Sequence, residues 1–254
     1  MDATLRKVGA LVRKDACDLV RNPSMLVCVL MPVGFTALFR LMLGDVEASS
    51  GLDEARAGML SDTLDTFLLS ISLCMAIGMV IGMVEVYGIA EEKEKHTLRT
   101  LMLANVGPGQ VMASRALVAL VVTLAVAAAS FLLLGKAGVE LLPAYLGLCV
   151  LGALPTALVS LVLGLASRDQ MTAGLYSVPV VLVSLAPMFG MASRPLAEAA
   201  RWLPTGAMSE LVGLMMEGRM LTSEALVPLA VTLAWTAAAA VAFALLFRRL
   251  VRDN

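Results

Sequence analysis

The sequence predicts an all-α polytopic membrane protein with six transmembrane helices, and three observations predict it. Of 254 residues, 59% are hydrophobic and only 15% are charged, whereas about a quarter are charged in a typical globular domain. Mean hydropathy is +0.88. Six apolar stretches reach the length of a span, about 20 residues, because a helix rises ~1.5 Å per residue across a ~30 Å hydrocarbon core. The bilayer must be the solvent for most of this chain, which forms one transmembrane domain over 1–254.

In chain order, residues 2–22 place Leu5, Val8, Leu11, Val12 and Leu19 at helical spacing with basic residues between them. That pattern predicts an amphipathic helix on the inner membrane face, broken by Asn22-Pro23. The spans follow at about 24–43, 64–90, 113–134, 142–166, 171–191 and 225–247. The first begins too late and runs too long for a cleavable signal. Between the second and third lies a charged segment, 91–112, and before the last lies 192–224. In the latter, the apolar patch Trp202–Met216 is interrupted by Pro204 and Gly206, so it reads as an outer re-entrant or interface-lying segment.

Lys and Arg set the orientation. Thirteen of the nineteen fall on one side, in the N-terminal segment, the loop after the second span, the fourth-to-fifth turn and the C-terminus. Six fall on the other: Arg40, Arg56, Lys136, Arg194, Arg201 and Arg219. Both termini are therefore expected in the cytoplasm of a multi-pass plasma-membrane protein. The loop after the first span is acidic, with Asp45, Glu47, Asp53, Glu54, Asp62 and Asp65, and faces outward on this reading.

Little in the chain carries chemistry of its own. Net charge is −1, so the basic footprint of a nucleic-acid binder is missing. The single histidine, His96, cannot build a His-based metal site. Cys17, Cys28, Cys74 and Cys149 are too dispersed for a metal knuckle and imply no disulfide framework. No G-x-x-x-x-G-K-[ST] occurs. No cofactor is expected in this chain, and no enzyme activity. Glu91-Glu92 beside His96 could suggest an intramembrane glutamate peptidase, but a run of five charges at a membrane exit is an ordinary solvated face. Glu85 is different, because a carboxylate inside a span is costly. Two readings stand for it: a functional intramembrane group, or a structural one near the interface that pairs with a base. Arg40, near the outer end of the first span, reads as snorkelling. Gly78 and Gly82 form a GxxxG that permits close helix approach. Pro32, Pro155, Pro179, Pro187 and Pro228 fall within spans or near their ends, where bending is the simple reading.

The segment Glu91–Gln110 runs E-E-K-E-K-H-T-L-R-T-L-M-L-A-N-V-G-P-G-Q. It is a charged helix exit followed by an apolar knob, Leu98, Leu101, Met102 and Leu103, stopped at Gly107-Pro108-Gly109. An exposed apolar knob wants a partner. At these residues the sequence resembles the permeases of type-two ABC transporters, which carry E-[KR]-E-x-G-T-[LI]-E-x-L-L-x-T-P-[VL] after the second span. Glu92, Lys93, Glu94, Thr97, Leu98, Leu101 and Val106 match. His96, Arg99 and Ala104-Asn105 depart from it.

The resemblance implies the membrane subunit of an ABC exporter, paired with a second permease, identical or paralogous, and with two ABC ATPase subunits that bind ATP and magnesium. Glu92, Glu94, Thr97, Leu98 and Leu101 would then belong to a coupling helix seated in the ATPase. The apolar character of the spans leans toward a hydrophobic or amphipathic cargo: drug, peptide or lipid-like. The rival readings are a secondary transporter, which would want more intramembrane ionisable groups or an inverted repeat, and another kind of membrane protein or enzyme, which would need a catalytic constellation.

Overall fold

The structure, a computed structural model, describes residues 2–49, 54–95, 97, 106–135, 137–190 and 193–252, with the side chains of 2–5, 43–49, 54, 55, 57 and 248–252 left aside. Among the described residues there is no strand. Helix α1 spans Asp2–Arg21 and ends where Asn22 caps the next helix, its Oδ1 accepting the Ser24 and Met25 amides at 3.1 and 3.4 Å. Pro23 supplies the first helical position of α2 (Pro23–Ser49), where its missing N–H is no loss.

The second apolar stretch is one continuous rod built from α3 (Glu54–Met75), a π-helical segment Ala76–Glu85, and α4 (Val86–Glu94). Then come α5 (Pro108–Leu134), α6 (Leu142–Ala166), α7 (Gln170–Ser184), α8 (Ala186–Gly190), α9 (Arg194–Ala200), α10 (Pro204–Met216) and α11 (Leu226–Arg252).

The second rod is the hub. In its most apolar window 83% of residues are buried, against 44% in α5 and α6 and 17% in the first and last spans. Outer spans must turn most of their surface to lipid; a hub can bury all of its own. The α2, α5, α6 and α7 helices all pack on the π-helical segment. Gly78 and Gly82 supply the closest approach. A Cβ at Gly78 would stand 2.4 Å from Ser184 Cβ, and one at Gly82 would stand 2.9 Å from Val180 Cγ1, so α7 rests on bare backbone. Beside these glycines, Ile81 packs in a cluster with Ala119 of α5 and Ala153 of α6.

Among the described residues, five helices are long and apolar enough to cross a membrane. The fifth expected span, 171–191, differs. Helix α7 has 15 residues, roughly 22 Å at ~1.5 Å each, short of a ~30 Å core. The chain breaks at Leu185 and resumes as α8. Pro187 explains the break: it has no N–H for the Val183 carbonyl and its ring crowds that carbonyl.

The 192–224 segment is helical and broken. Pro204 opens α10, which buries Ala207, Met208, Leu211 and Val212 completely. It packs against α3, α6 and α11. Arg40 at the far end of α2 donates to the Leu133 carbonyl of α5.

Candidate functional site

At the end of the bundle where α1 docks, three elements, α1, α4 and α5, converge on a buried group of charges. Helix α1 turns Leu11, Asp15 and Leu19 inward, at 6, 1 and 6% exposure, a stripe at i, i+4 and i+8. It packs along α5 and α2. The amphipathic face thus covers protein, and an acidic residue sits in the middle of it.

Asp15 Oδ2 accepts the Ser114 hydroxyl at 2.6 Å, and its Oδ1 lies 3.4 Å from Arg115 Nη2. Arg115 stands in the second turn of α5 and donates through Nη2 to Glu92 Oε1 at 2.8 Å. Lys14 Nζ reaches the same Glu92 oxygen at 2.6 Å. Two cations and two carboxylates balance, with Glu92 3% and Arg115 7% exposed. Charges so deeply placed must be paired, since leaving one alone costs several kcal/mol, about 3–5.

Burial pushes the Asp15 carboxyl above its ordinary value and Glu92 adds to this, while Arg115, the Ser114 hydroxyl and Lys14 pull it down. For Lys14, burial pulls down, but the hydrogen bond and charge of Glu92 outweigh it and hold the ammonium above its ordinary value.

A second ring of contacts braces this core. Glu91 accepts Asn22 Nδ2 at 3.0 Å and pairs with Lys95. Lys93 Nζ donates to the Leu165 carbonyl at the end of α6, 2.6 Å away. Glu94, exposed to solvent, accepts the Gln170 amide at 3.1 Å, at the start of α7. Beside it Asp169 caps α7, accepting the Thr172 amide at 2.7 Å and its hydroxyl at 2.8 Å. The Thr172 backbone amide and hydroxyl hold the Asp169 carboxyl below its ordinary value. Each carboxylate faces the positive end of a helix.

Of the residues expected to couple to an ATPase, three are therefore placed. Glu92 lies inside the ion cluster, Glu94 bonds α7, and Thr97 Oγ1 donates to the Glu92 carbonyl at 3.1 Å. Leu98 and Leu101 lie outside the described residues. Glu85 is 1% exposed, and neither carboxylate oxygen has a hydrogen-bond partner. Sequence reasoning missed Lys14, Asp15, Ser114 and Arg115 as a unit. Signals existed: Asp15 interrupts the apolar stripe of α1, and Arg115 lies two residues inside the third apolar run.

The arrangement ties α1, α4, α5 and α7 to both ends of the segment between Lys95 and Val106. Away from this base, an apolar groove lies between α6, α7, α10 and α11, lined by Pro155, Pro179, Val180, Val183 and Trp235. Among the described residues no group of three or more His, Cys, Asp or Glu could hold a metal ion.

Residues 56–248 match the family model described as ABC-2 family transporter protein. A comparison with curated proteins finds no match.

Proposed function

The chain belongs to the ABC-2 transporter family, and from that premise we propose that it is the permease subunit of an ATP-driven exporter. It works with two separate ATPase subunits, which bind ATP and magnesium, and with a second permease. The observation that carries this reading is the Glu92–Arg115 clamp with Lys14 and Asp15 around it. A segment whose two ends are locked to four helices passes a push on to all of them. Glu92 braces the clamp, Glu94 and Thr97 join it to α7 and to the segment, and Leu98 and Leu101 dock into the ATPase.

The base faces the cytoplasm of a plasma-membrane protein, as the Lys and Arg distribution supports. Exposed apolar faces on α2 (Val27, Leu30, Leu38) and α7 (Leu175, Val178, Leu182) suit lipid and the second permease. The apolar groove supports a hydrophobic or amphipathic cargo moving outward.

Co-purification with the partner ATPase tests the reading. Leu98→Asp places a charge in the docking knob, and Glu94→Lys puts a cation at the positive end of α7. Both variants should insert in the membrane normally and lose ATPase association or ATP-driven transport. Retention of both functions by both variants would make 91–112 an ordinary solvated loop.

A further inference from the structure

Glu85 has no place in the clamp, yet it stands on the same rod. It lies four residues after Ile81, which packs on Ala119 and Ala153, and four before Ile89, which packs on Met112, Leu161 and Leu165. The carboxylate therefore faces α5 and α6, enclosed at 1% exposure. Glu92 lies seven residues further along the same face, about 10 Å at ~1.5 Å per residue. Between the two glutamates is Gly88, and the Arg115 side chain crosses over it. A Cβ at Gly88 would meet Arg115 Nη1 at 2.9 Å and Cζ at 3.3 Å. The missing side chain leaves a slot that Arg115 occupies, with about 4.5 Å of helix rise to Glu85 on one side and about 6 Å to Glu92 on the other.

Buried polar atoms are nearly always satisfied. Here both Glu85 oxygens, Arg115 Nε and Glu92 Oε2 lack a hydrogen-bond partner. The unused capacity lies at both ends of one guanidinium's reach. Directly above sits the ten-residue π-helical segment that ends on Glu85. Such segments are strained relative to α-helix and recur at functional sites.

We propose that Arg115 has two seats, Glu92 in this structure and Glu85 in a second state reached when its guanidinium slides along the Gly88 slot. The exchange converts movement of the clamp into movement of the membrane-embedded hub. Glu85 acts through Arg115 and is a positioning residue. The inference rests on the permease reading and assigns the step by which force at the base enters the spans.

The test uses the full-length chain alone in detergent, and the chain reconstituted in lipid vesicles with its partner ATPase. In thermal unfolding of the chain alone, Glu92→Gln and Arg115→Gln should be coupled, while Glu85→Gln and Arg115→Gln should add independently. In ATP hydrolysis by the reconstituted complex, Glu85→Gln should slow the permease-dependent rate about tenfold, within the usual range of coupling free energies. The double variant Glu85→Gln/Arg115→Gln should be no slower than Arg115→Gln. Unchanged hydrolysis in Glu85→Gln, or losses that multiply in the double variant, overturns the two-seat exchange. Should Arg115→Gln not fold, Gly88→Ala replaces it, since a methyl group obstructs the slot; its effect must likewise not multiply with that of Glu85→Gln. A wild-type chain that leaves the ATPase unaffected removes the permease reading instead, and this exchange with it.

Discussion

Glu92 and Arg115 meet at 2.8 Å across 23 residues of sequence, one at the end of α4 and the other near the start of α5, bringing the ends of the two helices together. Lys14 adds α1 to the same carboxylate at 2.6 Å. Removing one partner strands the rest. Glu92→Ala should destabilise the chain by about 3 kcal/mol or more, read as a lower midpoint of thermal unfolding in detergent. A melting curve like that of wild type would show that the cluster does not hold the base together.

Topology is checked with a native cysteine. Cys17 on α1 is exposed, Cys28 is half-buried, and Cys74 and Cys149 are buried. An impermeant maleimide should reach Cys17 only when the membrane is opened. With Cys17 removed, Leu221→Cys, at a fully exposed position in the connection after α10, should react in intact cells. The reverse pattern inverts the proposed orientation.

The α7 cap predicts a pH dependence. Hydrogen bonds from Thr172 hold the Asp169 carboxyl below its ordinary value of 3.8. The folded value is depressed, so the stabilisation is present above that ordinary value and is lost as pH falls through the folded one. Asp169→Ala should lower the unfolding temperature at about pH 7, and the gap from wild type should shrink near about pH 2.5. A gap that is constant over this range assigns the effect to something other than the carboxylate cap.

Close packing of α7 on the hub predicts sensitivity to added volume. Gly78→Leu would drive a side chain into Ser184, whose Cβ is 2.4 Å from the position of a Gly78 Cβ. The cost should be about 1–3 kcal/mol or more, as for other overpacked sites. Gly58→Leu, where a Cβ meets nothing within 4 Å, serves as the control and should melt like wild type.

The sequence by itself determined what is local. Apolar length marks out α2, the second rod, α5, α6 and α11, because a bilayer rewards about 20 consecutive apolar residues wherever they occur. Asn22-Pro23 marks the α1–α2 break through proline's missing N–H. Gly78 and Gly82 mark a close helix contact. The motif from Glu92 to Val106 marks the family, which the match over 56–248 shows. Only tertiary structure decided which residues share a space. Hydropathy averages over a window, so it does not register that Pro187 cuts the fifth segment at Leu185. Nor does helical periodicity show that the stripe of α1 meets α5. Asp15 is accommodated in the core because Ser114 and Arg115, some 100 positions away, supply its hydrogen bond and a buried counter-charge. Pairing of buried charges depends on separation in space, weakening as the inverse of distance, and separation along the chain carries no record of it.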